Sequence, residues 1–256
     1  MYLLKQNHVP QVRTGAVVCL SGMAQHLPKD DPKIHAVVTI LKEVLSTPSE
    51  PVQVTVSNAL APLASKLASD EAAVTELVQY FLRTMTTGAS YGVRRGAAYG
   101  LAGFVKGLGI VVLKKQGIMD AMKAACEDKS DPIKREGGML AVECLCMKLG
   151  RMFEPYIITV LPLLLALFGD GDVHVRESAQ DAARVIMANL SGPGVKLVLP
   201  TLLRGLNEKQ WRTKQGSIQL LGAMSHCGPA QLASCLASVV PALSSVLADP
   251  HAKARS

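Results

Sequence analysis

Six cysteines, six histidines, a glycine-rich stretch and a series of paired bases are the residues of this 256-residue chain whose types could do chemistry. Thiolates and imidazoles together would hold zinc, but no histidine completes a ligand pattern with Cys19, Cys126, Cys144, Cys146, Cys227 or Cys235. Cys144 and Cys146 stand two apart, so on a helix they point to different sides. The cysteines therefore read as reduced thiols on apolar helical faces, which suits the cytosol or nucleus. His174, between Val173 and Val175, reads as a turn residue. The glycines of 92–109 lie inside a helical pattern, not between a strand and a helix. No Lys-Ser or Lys-Thr pair follows them, so they are not a phosphate cradle. The run Gly88-Ala89-Ser90-Tyr91-Gly92 has Gly-x-Ser-x-Gly spacing, but it lies between two expected helices and not at a strand-to-helix turn, so no nucleophile elbow is expected. The chain is expected to be non-enzymatic, without a catalytic, cofactor or metal site.

What remains is contact with anions. Lys plus Arg number 27 against 20 for Asp plus Glu, a formal net charge of +7. The bases are not scattered. A phrase of apolar residue, then Arg or Lys, then small residues recurs at Val12-Arg13, Val93-Arg94, Ile133-Lys134, Val175-Arg176 and Trp211-Arg212. Ala252-Lys253 is a clipped copy, and Val52-Gln53 fits without the base. The intervals cluster near 40 residues, the signature of stacked helical hairpins. Such an array moves function from pockets to surfaces.

Each unit predicts a helix A, a short turn and a helix B. The A helices are expected near 33–47, 70–86, 111–127, 154–168, 195–207 and 231–248. The B helices are expected near 10–27, 51–67, 91–107, 132–149, 173–190 and 209–226. The repeats run roughly 1–28, 29–69, 70–109, 110–150, 151–191, 192–228 and an incomplete 229–256, a single array. Pro32, Pro51 and Pro132 suit first helical turns. Asp30, Asp131, Asp170, Asp172 and Asp249 suit turn or capping positions. Gly109, Gly150 and Gly192 read as helix stops. Pro162, Pro200 and Pro241 fall inside three A helices, where each removes a hydrogen bond and bends the helix, so curvature is expected. With no persistent strand-like alternation, the fold class is all-α: a curved α-solenoid of about six antiparallel helix pairs. The apolar run from Tyr156 to Phe168 is too short to span a bilayer.

In the third B helix, Val93, Ala97, Leu101, Phe104, Val105 and Leu108 make one apolar stripe and Gly96, Gly100, Gly103 and Gly107 a second. Glycines at that spacing imply close approach of another backbone, either a neighbouring helix or an external partner. Trp211 either fills the core or anchors an interface. Leu101 and Leu163 are expected in dry inter-helix seams. The first bases of the phrases are expected to pair with turn carboxylates such as Asp131, Asp172 and Asp249. The second bases are harder to place in such a ladder, and Lys114-Lys115 is expected to open an A helix against its dipole. Candidate contacts with RNA or a partner are therefore Arg94, Arg95, Lys114, Lys115, Lys134, Arg135, Arg212 and Lys214. Without interleaved aromatics, contact would be with the backbone of folded RNA. The ends, Tyr2 to Lys5 and Ala254-Arg255-Ser256, carry no polar cap, so the chain is expected to be part of a longer array.

The proline-bearing A helix, turn Asp and apolar-basic step resemble HEAT repeats along the whole chain. The runs RRGAAYGLAGFVKGLGI (94–110), FEPYIITVLPLLLALFGDGDVHVRESAQDAARVIMANLSGPGVKLVLPTLL (153–203) and WRTKQGSIQLLGAMSHCGP (211–229) are more specific, with STPSEPVQVTVSNALAPL (46–63) compatible. They resemble the general control non-derepressible protein one family, large ribosome-associated activators of the general amino acid control kinase. The matching part is that family's central segment, itself similar to the HEAT domain of fungal translation elongation factor three. The resemblance implies a cytoplasmic, non-catalytic scaffold in translational control. Its partners would be the ribosome and an ATP-binding-cassette protein, and the kinase, which phosphorylates an initiation factor, would dock on a part of the family's chain further along. No membrane or small-molecule substrate is implied. A generic HEAT-repeat protein–protein adaptor with no direct RNA contact is the alternative, and no family motif assigns a contact to a particular residue.

Overall fold

A computed structural model describes residues 9–29, 31–224 and 229–247. Among them every regular element is helical. The expectations placed on Tyr2–Lys5, Asp30, Cys227, Asp249, Lys253 and the final residues lie outside the described residues. The chain divides into two compact units, residues 1–125 and 126–256.

The first unit carries α1 (Pro10–Ala24), α2 (Lys33–Val44), α3 (Glu50–Leu67), α4 (Glu71–Thr87), α5 (Tyr91–Leu108), the single turn α6 (Val112–Lys115) and α7 (Ile118–Glu127). The B helices α1, α3 and α5 pack side by side, and α2 and α4 cover α3 and α5. The second unit carries α8 (Pro132–Leu149), a 3-10 turn (Gly150–Phe153), α9 (Glu154–Phe168), α10 (Val173–Asn189), α11 (Gly192–Gly205), α12 (Trp211–Met224) and α13 (Pro229–Leu247). There α8, α10 and α12 form the B layer, and α9, α11 and α13 the A layer. Each unit is thus a stack of antiparallel helix pairs, two layers deep.

Local chemistry explains the element ends. The carboxylates of Asp70, Asp131 and Asp172 accept from N–H groups in the first turns of α4, α8 and α10, and the Ser90 and Ser191 hydroxyls do so for α5 and α11. Gly109 and Gly150 end α5 and α8 at φ of 91° and 56°, where a Cβ would be strained. Gly192 behaves otherwise than expected: with Ser191 as cap and Pro193 in the first turn, it opens α11. The A helix expected over 111–127 is broken at Gly117 (φ 64°). Lys114 and Lys115 therefore close α6 and do not open a helix, so their charge favours the local dipole. Pro162, Pro200 and Pro241 are inside α9, α11 and α13 as expected, but Pro62 sits inside the B helix α3 as well.

The core is aliphatic. Val52, Val56, Leu60 and Leu63 on α3 are fully buried, each contributing about 1.5–3 kcal/mol by leaving water. Leu101 lies in such a seam, whereas Leu163 is only half-buried. Cys126, Cys144 and Cys146 are free thiols in the core, and Cys19 is exposed. Burial pushes the Cys126 and Cys146 thiols up to about 12. Both Cys144 and Cys146 are buried although they point apart, because α8 is covered on nearly every side. Helices α8 and α9 are apolar enough in sum to match the length and hydropathy of a membrane span, but Gly150 divides them and much of the run is buried in the unit.

The glycine stripe of α5 meets a neighbouring helix. A Cβ at Gly103 would lie 2.2 Å from the Ser57 carbonyl oxygen, and one at Gly107 1.9 Å from that of Ala61, both on α3. At Gly96 it would lie 2.0 Å from the Leu45 carbonyl oxygen, and at Gly100 2.5 Å from the Phe81 ring. Close approach of a main-chain carbonyl at Gly96, Gly103 and Gly107, and of a ring at Gly100, is the reason these positions forgo a side chain. We predict that Gly103→Ala lowers the stability of the chain by about 1–3 kcal/mol in urea unfolding, overpacking exceeding the helix-propensity gain. Gly15→Ala, in an exposed stretch of α1 with open space around it, should raise it by up to about 1 kcal/mol.

Candidate functional site

The turns that enter the B helices expose carbonyl groups that must find donors. The fourth residue of the helix supplies them. Gln53 is fully buried and its Nε2 lies within reach of the Leu45, Thr47 and Gly92 carbonyls at 3.1, 2.8 and 2.7 Å. Arg94 donates to the Gly88 carbonyl (3.0 Å), Arg135 to that of Asp128 (2.8 Å), and Arg176 to those of Asp170 (2.7 Å) and Gly171 (2.9 Å). Arg13, fourth in α1, reaches the Thr47 hydroxyl of the next repeat. The donor thus reaches its own turn five to eight residues back, or the repeat ahead, or both.

This geometry relocates most of the candidate bases. Arg94 is 8% exposed and belongs to its turn. The expected pairing of first bases with Asp131 and Asp172 is replaced, since those carboxylates cap helices. Lys134 pairs with Asp128 at 2.8 Å, within its own turn. Two of the inter-repeat contacts come from second bases. Arg95 spans to Glu50 (3.3 Å) and to the Gln53 side-chain oxygen (3.1 Å), and Tyr99 donates to the same Glu50. Arg135 grips Asp170 through Nε (2.7 Å) and Nη2 (3.0 Å), a bidentate fork with both side chains mostly buried. Sequence reasoning missed Gln53, Glu50, Asp128 and Glu154, whose carboxylate accepts from the Ser191 N–H (3.0 Å) and hydroxyl (2.6 Å).

The remaining candidates face solvent to different degrees. Lys114 is exposed, beside Val111, itself 73% exposed. Lys115 is exposed and pairs with Glu71 at 2.8 Å. Arg212 is exposed and lies over the Trp211 ring, 4.9 Å from its centroid. Lys214 is half-buried in α12. Trp211 is only half-buried, at the rim of a hollow and not in the core. The structure therefore brings together no catalytic set from these residues. Among the described residues no group of His, Cys, Asp and Glu has metal-binding geometry, and His174 pairs with Glu177 at 3.4 Å on the surface.

Burial pushes the Asp170 carboxyl up, but the Arg135 fork, the Asp172 N–H and the nearby Arg135 and Arg176 charges outweigh it and hold the pKa below the ordinary value. Hydrogen bonds from Lys134 and from Ser130 hold Asp128 well below that range too. Carboxylates held low stabilise the fold above their unfolded pKa, about 3.9, and that contribution is lost as pH falls through the folded value. Thermal stability should therefore drop below about pH 4, and Asp170→Asn should flatten the drop. Arg135→Ala should cost about 3 kcal/mol at pH 7, because it strands a mostly buried charge.

Residues 94–256 match the family model described as EF3 N-terminal HEAT repeat. The chain is 49% identical over 242 residues to the protein named stalled ribosome sensor GCN1 of Homo sapiens, covering 94% of this chain and 9% of that protein. It is 47% identical over 243 residues to the eIF-2-alpha kinase activator GCN1 of Dictyostelium discoideum, again 94% of this chain and 9% of that one. The chain therefore spans about a tenth of the length of these relatives. Among solved structures, Kap121p bound to Nup53p superposes with a TM-score of 0.59 at 17% identity, over 97% of this chain and 27% of that one, a likeness of fold alone.

Proposed function

The chain belongs to the EF3 N-terminal HEAT repeat family, and we propose that it serves as a non-catalytic scaffold segment in translational control. The similarity to proteins named as a stalled ribosome sensor and as an eIF-2-alpha kinase activator, at 47–49% identity over nearly the whole chain, carries the reading. In it, the segment contacts the ribosome and an ATP-binding-cassette partner in the cytoplasm. Those contacts help a stress kinase, docked on another part of the parent protein, to phosphorylate a translation initiation factor on stalled ribosomes.

Charge placement narrows the contacts. With Arg94, Arg95 and Arg135 spent on turns and neighbouring repeats, the ribosome-facing cations are Lys114, Lys115 and Arg212, with Lys134 and Lys214 secondary. That inward use of three arginines also favours the second reading, an adaptor that grips proteins and leaves RNA untouched.

Co-sedimentation with ribosomes separates the two. A scaffold using about three phosphate contacts should lose roughly thirtyfold in binding between 50 and 200 mM salt. The combined Lys114→Glu, Lys115→Glu and Arg212→Glu variant should weaken pelleting at low salt. Pelleting that ignores salt and survives the triple variant would establish the adaptor. A chain that does not pellet at any salt would remove the ribosome from the proposal.

A further inference from the structure

Two helices of the second unit face each other across a groove of which the preceding reading uses Arg212 alone. On α10, Arg176, Gln180 and Arg184 recur every fourth residue, and on α12 so do Trp211, Gln215 and Gln219. Two adjoining hollows, of about 210 and 250 Å³, lie between them and share Phe168, Gln180, Gly216 and Gln219. Arg176 faces Trp211 and Arg212 at one end, and Arg184 lines the other end with Gln219. The floor is Phe168, which approaches so closely because residue 216 is glycine: a Cβ there would lie 2.2 Å from the ring.

We propose that this groove binds an extended, acidic peptide segment by its main chain. A primary amide is the side chain that carries both a donor and an acceptor, the complement of a peptide unit. The amides of Gln180, Gln215 and Gln219 have no hydrogen-bond partner among the described residues. Residues four apart on a helix rise about 6 Å. Successive same-facing residues of an extended chain repeat every 6.6–6.8 Å. Gln215 and Gln219 can therefore meet alternate peptide units of one strand laid along α12, with Gln180 opposite.

Charge selects the side chains of the occupant. No carboxylate lines either hollow, while Arg176, Arg184 and Arg212 do. Arg176 already donates to two turn carbonyls beside the Asp170 carboxylate, which the Arg135 fork occupies, and Arg184 pairs with Asp181. Arg212 is exposed over the indole. Acidic residues at alternate positions would meet this rim as the backbone meets the amides. Three amides, an indole already covered by a guanidinium and a floor ring packed against Gly216 suit a peptide better than stacked bases, which need free ring faces.

Trp211 is the chain's one tryptophan, so its emission reports occupancy. The probe is a capped peptide of alternating Asp and Thr, titrated into the 256-residue chain. It should shift the emission saturably, and the same peptide with Lys for Asp should not. N-methylation of alternate backbone nitrogens should weaken binding about tenfold, and so should Gln215→Ala combined with Gln219→Ala. Circular dichroism of that variant, altered at two positions without tertiary hydrogen bonds, should match the parent. The proposal is overturned if the Asp-Thr peptide gives no saturable shift, or if the N-methylated peptide binds equally well, which would leave an ionic contact only. It is also overturned if a ten-nucleotide oligouridylate binds more tightly and displaces the peptide, which would make the groove a nucleic-acid surface. The ribosome-pelleting result bears on neither outcome.

Discussion

Turn carbonyls at the entry to α3, α5, α8 and α10 need donors, and the side chain at the fourth helical position provides them. Gln53, Arg94, Arg135 and Arg176 differ in charge and length, yet each returns to a carbonyl of its own turn. A carbonyl left without water or a partner costs a substantial part of a hydrogen bond, so this contact sets where the helix can start. Once the start is set, the apolar face is set with it, and the layers of each unit follow. Gln53 and Arg135 add a second reach, to Gly92 and to Asp170 in the next repeat, so the same residue also ties neighbours.

Helix positions were legible because period, proline and glycine agree locally. The expected spans 154–168 and 132–149 coincide with α9 and α8, each opened by a glutamate or capped proline and closed by glycine. Failures have identifiable causes. Gly192 looked like a stop, but the preceding Ser191 and following Pro193 are stronger start signals. The expected span 111–127 ran through Gly117, but that residue takes positive φ and turns the chain.

The function of individual bases was less legible. Ile133-Lys134 aligns with Val93-Arg94 in sequence, but Asp131 caps α8 so that Arg135, not Lys134, is the fourth residue. One residue on a helix is a rotation of about 100°, enough to exchange an inward fork for a surface charge. Glu50 and Asp170, the acceptors across repeats, lie 45 and 35 residues from their arginines. Single-sequence spacing does not reveal which of many carboxylates will face which base.

The seam between α3 and α5 has a mechanical consequence. At Gly103 and Gly107 its tightest contacts are with main-chain carbonyls, which have no rotamer that could yield under load. Close-packed interiors of low compressibility pass displacement along. A push on α3 would reach α5 almost undamped, as through a stiff plate. In the second unit the matching close approach, Phe168 against Gly216, ends in a ring on a rotatable bond, which can swing aside and absorb the movement. The first unit has such a ring too, Phe81 against Gly100, so stiff and yielding contacts occur together along α5.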